Sequence, residues 1–135
     1  MEGKSDAAVV VDSHLWIEFL SGEKTRDTAE VARLIRAGSL VLAGPILYEV
    51  LIGPKREDQR RFLESRLRAF PLLETTDEVW FRAVALGRLP GVPARKVPFS
   101  DVLIAAHADV HGAAVFSNDP HFDAFMDLGR HRLKR

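Results

Sequence analysis

The chain's 135 residues match the length of one domain, and a hydrophobic content of 47% is enough to build a folded core rather than a disordered tail. Cysteine is absent, which excludes a disulfide framework, a thiolate zinc site and a cysteine nucleophile, and leaves oxygen or imidazole as the ligands for any metal. Nineteen Lys and Arg against nineteen Asp and Glu give a net charge of +0, so no global attraction for a polyanion is predicted.

No apolar run approaches the roughly 20 residues needed to cross a bilayer. Met1 to Ala8 is too short and too acidic for a signal peptide, which predicts a cytoplasmic protein. The first predicted element is a buried strand from Ala8 to Val11, a β-branched run too short for a helix. Leu15, Phe19 and Leu20 then fall at helical spacing, so a short helix is predicted to open directly after Asp12. In TRDTAEVARLIRAG, Asp27 and Glu30 suggest a capping box, Val31, Leu34 and Ile35 an apolar stripe, and Gly38 a stop. A second buried strand follows at Leu40 to Ala43.

Pro45 suits the first turn of a helix through PILYEVLI, and a further helix from Lys55 to about Arg68 is predicted to pack Phe62, Leu63 and Leu67. Pro71 to Leu73 has the makings of a short strand. Thr75 and Glu78 suggest a capping box for a helix carrying Val79, Trp80, Ala83, Val84 and Leu86, which Pro90-Gly91 ends. GVPARKVP, with two prolines, is predicted as a loop, after which Ser100 caps a helix from Asp101 to about His111, stopped by Gly112. Ala113 to Phe116 is the third buried strand, Pro120 opens a last short helix, and a weak strand is expected around Arg132 to Leu133. Short buried strands separated by helices call for parallel pairing and crossover connections. The predicted class is α/β, with three α/β/α layers and a central, mostly parallel sheet of four to five short strands. The domain is expected to span residues 1–135, with 1–7 as a disordered leader.

In such sheets ligands collect outside the carboxyl ends of the strands, where the strand order reverses. Asp12 ends the first strand, and Asp119 follows the third after Ser117-Asn118. Glu49 lies one turn into the helix after the second strand, and Asp101 opens a helix, so all four acids are expected at one sheet edge. Each has a structural reading as well: Asp12 and Asp119 as helix caps, Asp101 as a first-turn acid, Glu49 as part of an exposed helix face. Converging carboxylates repel one another unless a cation compensates them. Mg²⁺, or Mn²⁺ in its place, suits an all-oxygen set in which some acids act through water.

The residues quoted resemble the PIN-domain family, in particular the VapC-type toxins of toxin-antitoxin pairs. VVVDSHLWIEFL is similar to the family's opening strand, acid and aromatic-bearing helix, and GPILYEVLIG to its second motif. FSDVLIAAHADVHGAAVFSNDPHF is similar to the third and fourth motifs together. The resemblance spans nearly the whole chain. It implies a metal-dependent endoribonuclease that cleaves cellular RNA, neutralised by a cognate VapB-type antitoxin in a homodimer-based complex. It also implies catalytic roles for Asp12, Glu49, Asp101 and Asp119. Of these, Asp12, Asp101 and Asp119 would be metal ligands, with Glu49 acting through water and Ser117 and Asp123 supporting from behind.

RNA would be drawn to this acidic edge by Lys55 to Arg68, by Arg95 and Lys96, and by Arg130 to Arg135. The arginines of the first group have an alternative use, pairing with Glu57, Asp58 and Glu64 on a solvated helix face. His14, His107 and His121 are expected to be packed or solvated, and Trp16 and Trp80 to be core or interface residues. The competing function is a catalytically silent PIN-like module that binds RNA or protein. A receiver-like phosphorylation switch is disfavoured, because the only lysines after Lys55 are Lys96 and Lys134.

Overall fold

The structure, a computed structural model, describes residues 8–128 and 133–134; the expected leader at 1–7 and most of the basic run from Arg130 lie outside the described residues. Three valines, Val9–Val11, form β1 at the centre of the sheet, between β2, Leu40–Val41, and β3, Ala114–Phe116. Pairing is parallel throughout: Val9 lies opposite Leu40 and Ala114, Val10 opposite Val41 and Val115, and Val11 opposite Phe116. Every residue of these strands is buried, which is why they read as unbroken apolar runs rather than alternating ones.

The sheet reaches the lower end of the four to five strands predicted only by counting a short edge pairing. Its buried body is the three strands β2-β1-β3, and beyond β3 lies only a two-residue pairing, β4, Leu133–Lys134. Pro71 to Leu73 contributes a single bridge, Leu42 to Leu72, rather than a strand. Leu42 N–H donates to Pro71 O and Leu73 N–H to Leu42 O, both at 2.8 Å, but Pro71 has no N–H with which to extend the ladder.

Helices α1, Ser13–Leu20, and α2, Arg26–Arg36, connect β1 to β2. Five more connect β2 to β3: α3, Gly44–Leu51; α4, Glu57–Leu67; α5, Asp77–Gly87; α6, Gly91–Ala94; and α7, Phe99–His111. The chain leaves β1 for β2 on one side, then crosses back past β1 to reach β3 on the other. Right-handed crossovers therefore place α1 and α2 on one face of the sheet and the later helices on the opposite face. The chain leaves β1 toward β2 and leaves β3 toward β4, so the strand order reverses between β1 and β3, and the topology opens a crevice at their carboxyl ends. Helix α7 runs through the core with all residues from Asp101 to Ala108 buried, and Gly112, at φ 70°, stops it as predicted. A 3-10 helix, Pro120–Leu128, follows β3 and anchors itself through Phe122 and Phe125. No described helix is long and apolar enough to cross a membrane.

Several local expectations are corrected. Helix α2 is capped by Thr25, which accepts from Thr28 N–H at 3.0 Å while its own N–H donates to Thr28 Oγ1 at 2.9 Å. Glu30, expected in that box with Asp27, instead pairs with Arg33 at 2.7 Å. Thr25→Ala is accordingly expected to cost about 1 kcal/mol in chemical denaturation; an unchanged midpoint would show that the box contributes nothing. Helix α5 is capped by Thr76, not Thr75, whose hydroxyl lies 2.7 Å from His107 Nε2. Helix α7 begins at Phe99 after Pro98, so Ser100 lies inside its first turn rather than capping it. Part of the proline-bearing loop folds as α6. Trp16 is a core residue, but Phe62, Trp80 and Val84 point outward.

Candidate active site

Asp12 is set by two local rules at once. It terminates β1 at the sheet's carboxyl edge, where its N–H donates to Phe116 O at 3.1 Å, and it is the N-cap of α1, with Oδ1 accepting from His14 N–H at 3.4 Å. From the neighbouring strand Ser117, only 1% exposed, donates its hydroxyl to Asp12 Oδ2 at 2.8 Å. The same Ser117 oxygen accepts from Asp119 N–H at 2.9 Å, so one buried hydroxyl ties together the acids that follow β1 and β3. Asp119 in turn accepts from His121 N–H at 2.9 Å through Oδ1, capping the 3-10 helix that Pro120 opens.

Asp101, 8% exposed, enters from the opposite face in the first turn of α7. The charges of Asp12, Asp101 and Asp119 act on one another. Burial pushes the Asp101 carboxyl up to about 6, with the negative charges of Asp119 and Asp12 adding to the shift and His121 opposing it. Burial also raises Asp12, against the hydrogen bonds from Ser117 and His14 that favour its ionised form, and Asp119 raises it further. Buried carboxylates held together at such a cost are better explained by a cation than by capping alone.

Glu49 stands to one side. It is half-buried on α3, and Ser13 donates its hydroxyl to Glu49 Oε1 at 2.7 Å, which links it to the residue after Asp12. It opens onto a groove of about 440 Å³ that Tyr48, Trp80, Phe99 and Ser100 also line. Asp123 lies on the 3-10 helix, half-buried. Among the described residues, the group that could hold a metal with donor atoms all within 4.8 Å of one another is Asp101, Asp119 and His121; Asp12, Glu49 and Asp123 are not part of it.

His121 was expected to be packed or solvated. Its Nδ1 lies 3.2 Å from Asp101 Oδ2 and 3.2 Å from Asp119 Oδ1. The signal available in the sequence was Asp-Pro-His itself, because a proline-opened helical turn carries the second residue back over the acid that caps it. Ser117, expected to support the acids from behind, joins Asp12 Oδ2 and the Asp119 N–H through its one hydroxyl. Ser117→Ala is predicted to destabilise the chain by about 1–3 kcal/mol in urea denaturation, because it leaves a buried carboxylate and an N–H short of partners. A change within a few tenths of a kcal/mol would show that the hydroxyl holds nothing together.

A model of the PIN domain matches residues 9–127. Ribonuclease VapC11 of Mycobacterium tuberculosis and VapC ribonuclease Mb1587 of Mycobacterium bovis are each 31% identical over 126 residues, covering 89% of this chain and 92% of theirs. Among solved structures, VapBC2 from Rickettsia felis bound to a promoter DNA fragment aligns with a TM-score of 0.73 at 15% identity, over 94% of this chain and 97% of that one. A toxin-antitoxin complex from Klebsiella pneumoniae aligns with a TM-score of 0.71 at 18% identity, over 95% and 97%. With its fold matched over 94–95% of its length, the family model matched over residues 9–127 and VapC ribonucleases 31% identical to it, the chain belongs to the PIN-domain family, in its VapC branch.

Proposed function

We propose that the chain is a metal-dependent endoribonuclease toxin that cleaves cellular RNA and is neutralised by a cognate VapB-type antitoxin. The observation that carries this reading is the gathering of Asp12, Asp101 and Asp119 at the β1 and β3 carboxyl ends, with Asp12 and Asp101 both raised by burial and mutual repulsion. The 31% identity to VapC ribonucleases supports the substrate class, and the VapBC and toxin-antitoxin complexes that share the fold support the partner.

The donor set fits a hard divalent cation, Mg²⁺ or Mn²⁺, since it is dominated by carboxylate oxygens that are unfavourable as bare neighbours. Asp101 and Asp119, whose donor atoms lie within 4.8 Å of one another, would hold the ion, with the coupled carboxylate of Asp12 completing the set. When bound, it supplies Lewis-acid polarisation of the phosphodiester and neutralises charge that develops there. Ser117 fixes Asp12 and Asp119 relative to each other, so neither carboxylate must reorganise during the reaction. Ser13 donates to Glu49 Oε1 and orients that carboxylate, and Glu49 would act on the site through a water.

In the basic helix the pairing alternative is met at Arg56, Arg60 and Arg68, while Lys55 and Arg61 are exposed. Arg56 pairs with Asp58, Arg60 with Glu57 and Glu64, and Arg68 with Glu64, while Arg66 lies 5.5 Å over the Phe62 ring. Arg95 and Lys96 are exposed in the turn before α7 and serve the expected role in binding RNA better than the paired arginines. A homodimer is supported by the exposed apolar side chains of α3, α5 and the start of α7: Tyr48, Ile52, Trp80, Phe81, Val84 and Phe99.

Antitoxin-free chain is expected to cleave total cellular RNA with Mg²⁺ or Mn²⁺ and to stop when the ion is chelated, with sequencing of the cut ends giving the target. Absence of cleavage with every divalent ion tried would favour the silent binding module. Cleavage that persists in excess chelator would overturn the metal dependence.

A further inference from the structure

We propose that His121 supplies an imidazole nitrogen directly to the divalent cation, making this a mixed nitrogen and oxygen site that favours Mn²⁺ over Mg²⁺. The inference rests on the metal-dependent reading above and adds to it a ligand that the four acids do not include.

The geometry is specific to this ring. Nδ1 is 3.2 Å from one oxygen of Asp101 and 3.2 Å from one oxygen of Asp119, and all three atoms fall within 4.8 Å of one another. Metal–ligand bonds of about 2.1 Å place neighbouring octahedral ligands roughly 3 Å apart, so these spacings are close to those of adjacent ligands on one ion. The ring is also positioned from behind. His121 N–H donates to Asp119 Oδ1, and the next residue, Phe122, is 1% exposed, fixing the 3-10 helix to the core. The His121 side chain itself is 36% exposed, which leaves a path for an ion.

The other described histidines are engaged elsewhere. His14 pairs with Glu18 at 2.9 Å, His111 Nε2 lies 2.8 Å from Glu74 O, and His107 sits between Leu103 O and Thr75. None of those rings has a metal-binding acid as its partner. Imidazole is a softer donor than carboxylate or water. Mg²⁺ holds to oxygen and dehydrates reluctantly, whereas Mn²⁺ accepts nitrogen more readily, so the ring shifts selectivity and does not merely add affinity.

The test uses the full chain, freed of antitoxin and stripped of metal, and loaded with Mn²⁺. Continuous-wave electron paramagnetic resonance counts bound ions, pulsed measurements detect directly coordinated ¹⁴N, and competition gives the Mn²⁺ to Mg²⁺ affinity ratio. The expected result is one directly bound nitrogen, lost in His121→Gln and His121→Ala, with Mn²⁺ affinity falling about 10–100-fold and Mg²⁺ affinity falling less. Circular dichroism of both variants is expected to match that of the parent. Bound Mn²⁺ without nitrogen coupling, coupling that survives in both variants, or an unchanged affinity ratio would overturn this inference alone. A chain that binds no Mn²⁺ would overturn the metal-dependent reading together with it.

Discussion

Replacing Asp101 with asparagine is expected to remove RNA cleavage and, in the same molecule, to raise the melting temperature of the metal-free chain at pH 7.5. The two effects have one cause. Asp101 is buried in the first turn of α7 and its carboxyl is pushed up to about 6 by burial and by Asp119 and Asp12, so ionising it in the fold is unfavourable. A shift of about two units corresponds to at most about 3 kcal/mol of stability lost at neutral pH, and asparagine removes it while keeping the shape of the side chain. For a domain of this size the gain would be read as several degrees. Catalytically the same charge is needed to hold the cation, and its loss is expected to lower cleavage by on the order of 10³-fold, as for removal of a fixed transition-state stabiliser. Asp12→Asn should behave alike, because asparagine still caps α1 while carrying no charge. A variant that is folded and cleaves within tenfold of the parent would remove Asp101 from the site. A lowered melting temperature would make its role structural.

The meeting of the residues after β1 and β3 was legible because their positions follow from topology. A buried strand must end somewhere, and in a parallel sheet the residues at its carboxyl end meet those of its neighbours whatever their separation in the chain. Asp12 and Ser117 are 105 residues apart and share a hydrogen bond for that reason. Helix boundaries were less legible. Thr25 and Thr28 satisfy the same reciprocal capping rule that Asp27 and Glu30 suggested, two residues away, while Glu30 is engaged by Arg33. Phe62 and Trp80 fit a helical stripe by spacing yet lie on the outer face, Phe62 beneath Arg66 and Trp80 stacked on Phe99 at 6.3 Å. Periodicity finds an apolar face and cannot say what covers it. The contacts of His121 went unread for another reason: Pro120 announces a helical turn, but the ring's place over Asp119 and Asp101 depends on that turn being 3-10, which the motif does not specify.

The second large effect is a coupling between metal and pH that only a carboxylate site of this kind should show. Asp101 takes up its proton at about pH 6 in the fold and near its ordinary value of 3.8 in the unfolded chain. Between those limits the folded state holds more protons, so the stability contributed by Asp101 is present below about pH 4 and is lost as pH rises through 6, the reverse of a salt-bridged aspartate. Asp12 is raised as well and acts in the same direction. A divalent cation competes with those protons and compensates the charges once they have left, so its affinity should climb over the same window and level off above it. At an ion concentration one hundred times the dissociation constant the fold gains about 2.7 kcal/mol, read as a rise of roughly 10 °C for a chain of this length. In differential scanning fluorimetry of metal-stripped chain, Mn²⁺ should therefore raise the melting temperature strongly at pH 7.5 and hardly at all at pH 4.5. Equal shifts at both values would place the ion away from Asp101. In Asp101→Asn the shift at pH 7.5 should collapse, because the charge that made the metal-free fold unfavourable is also the charge that binds the ion.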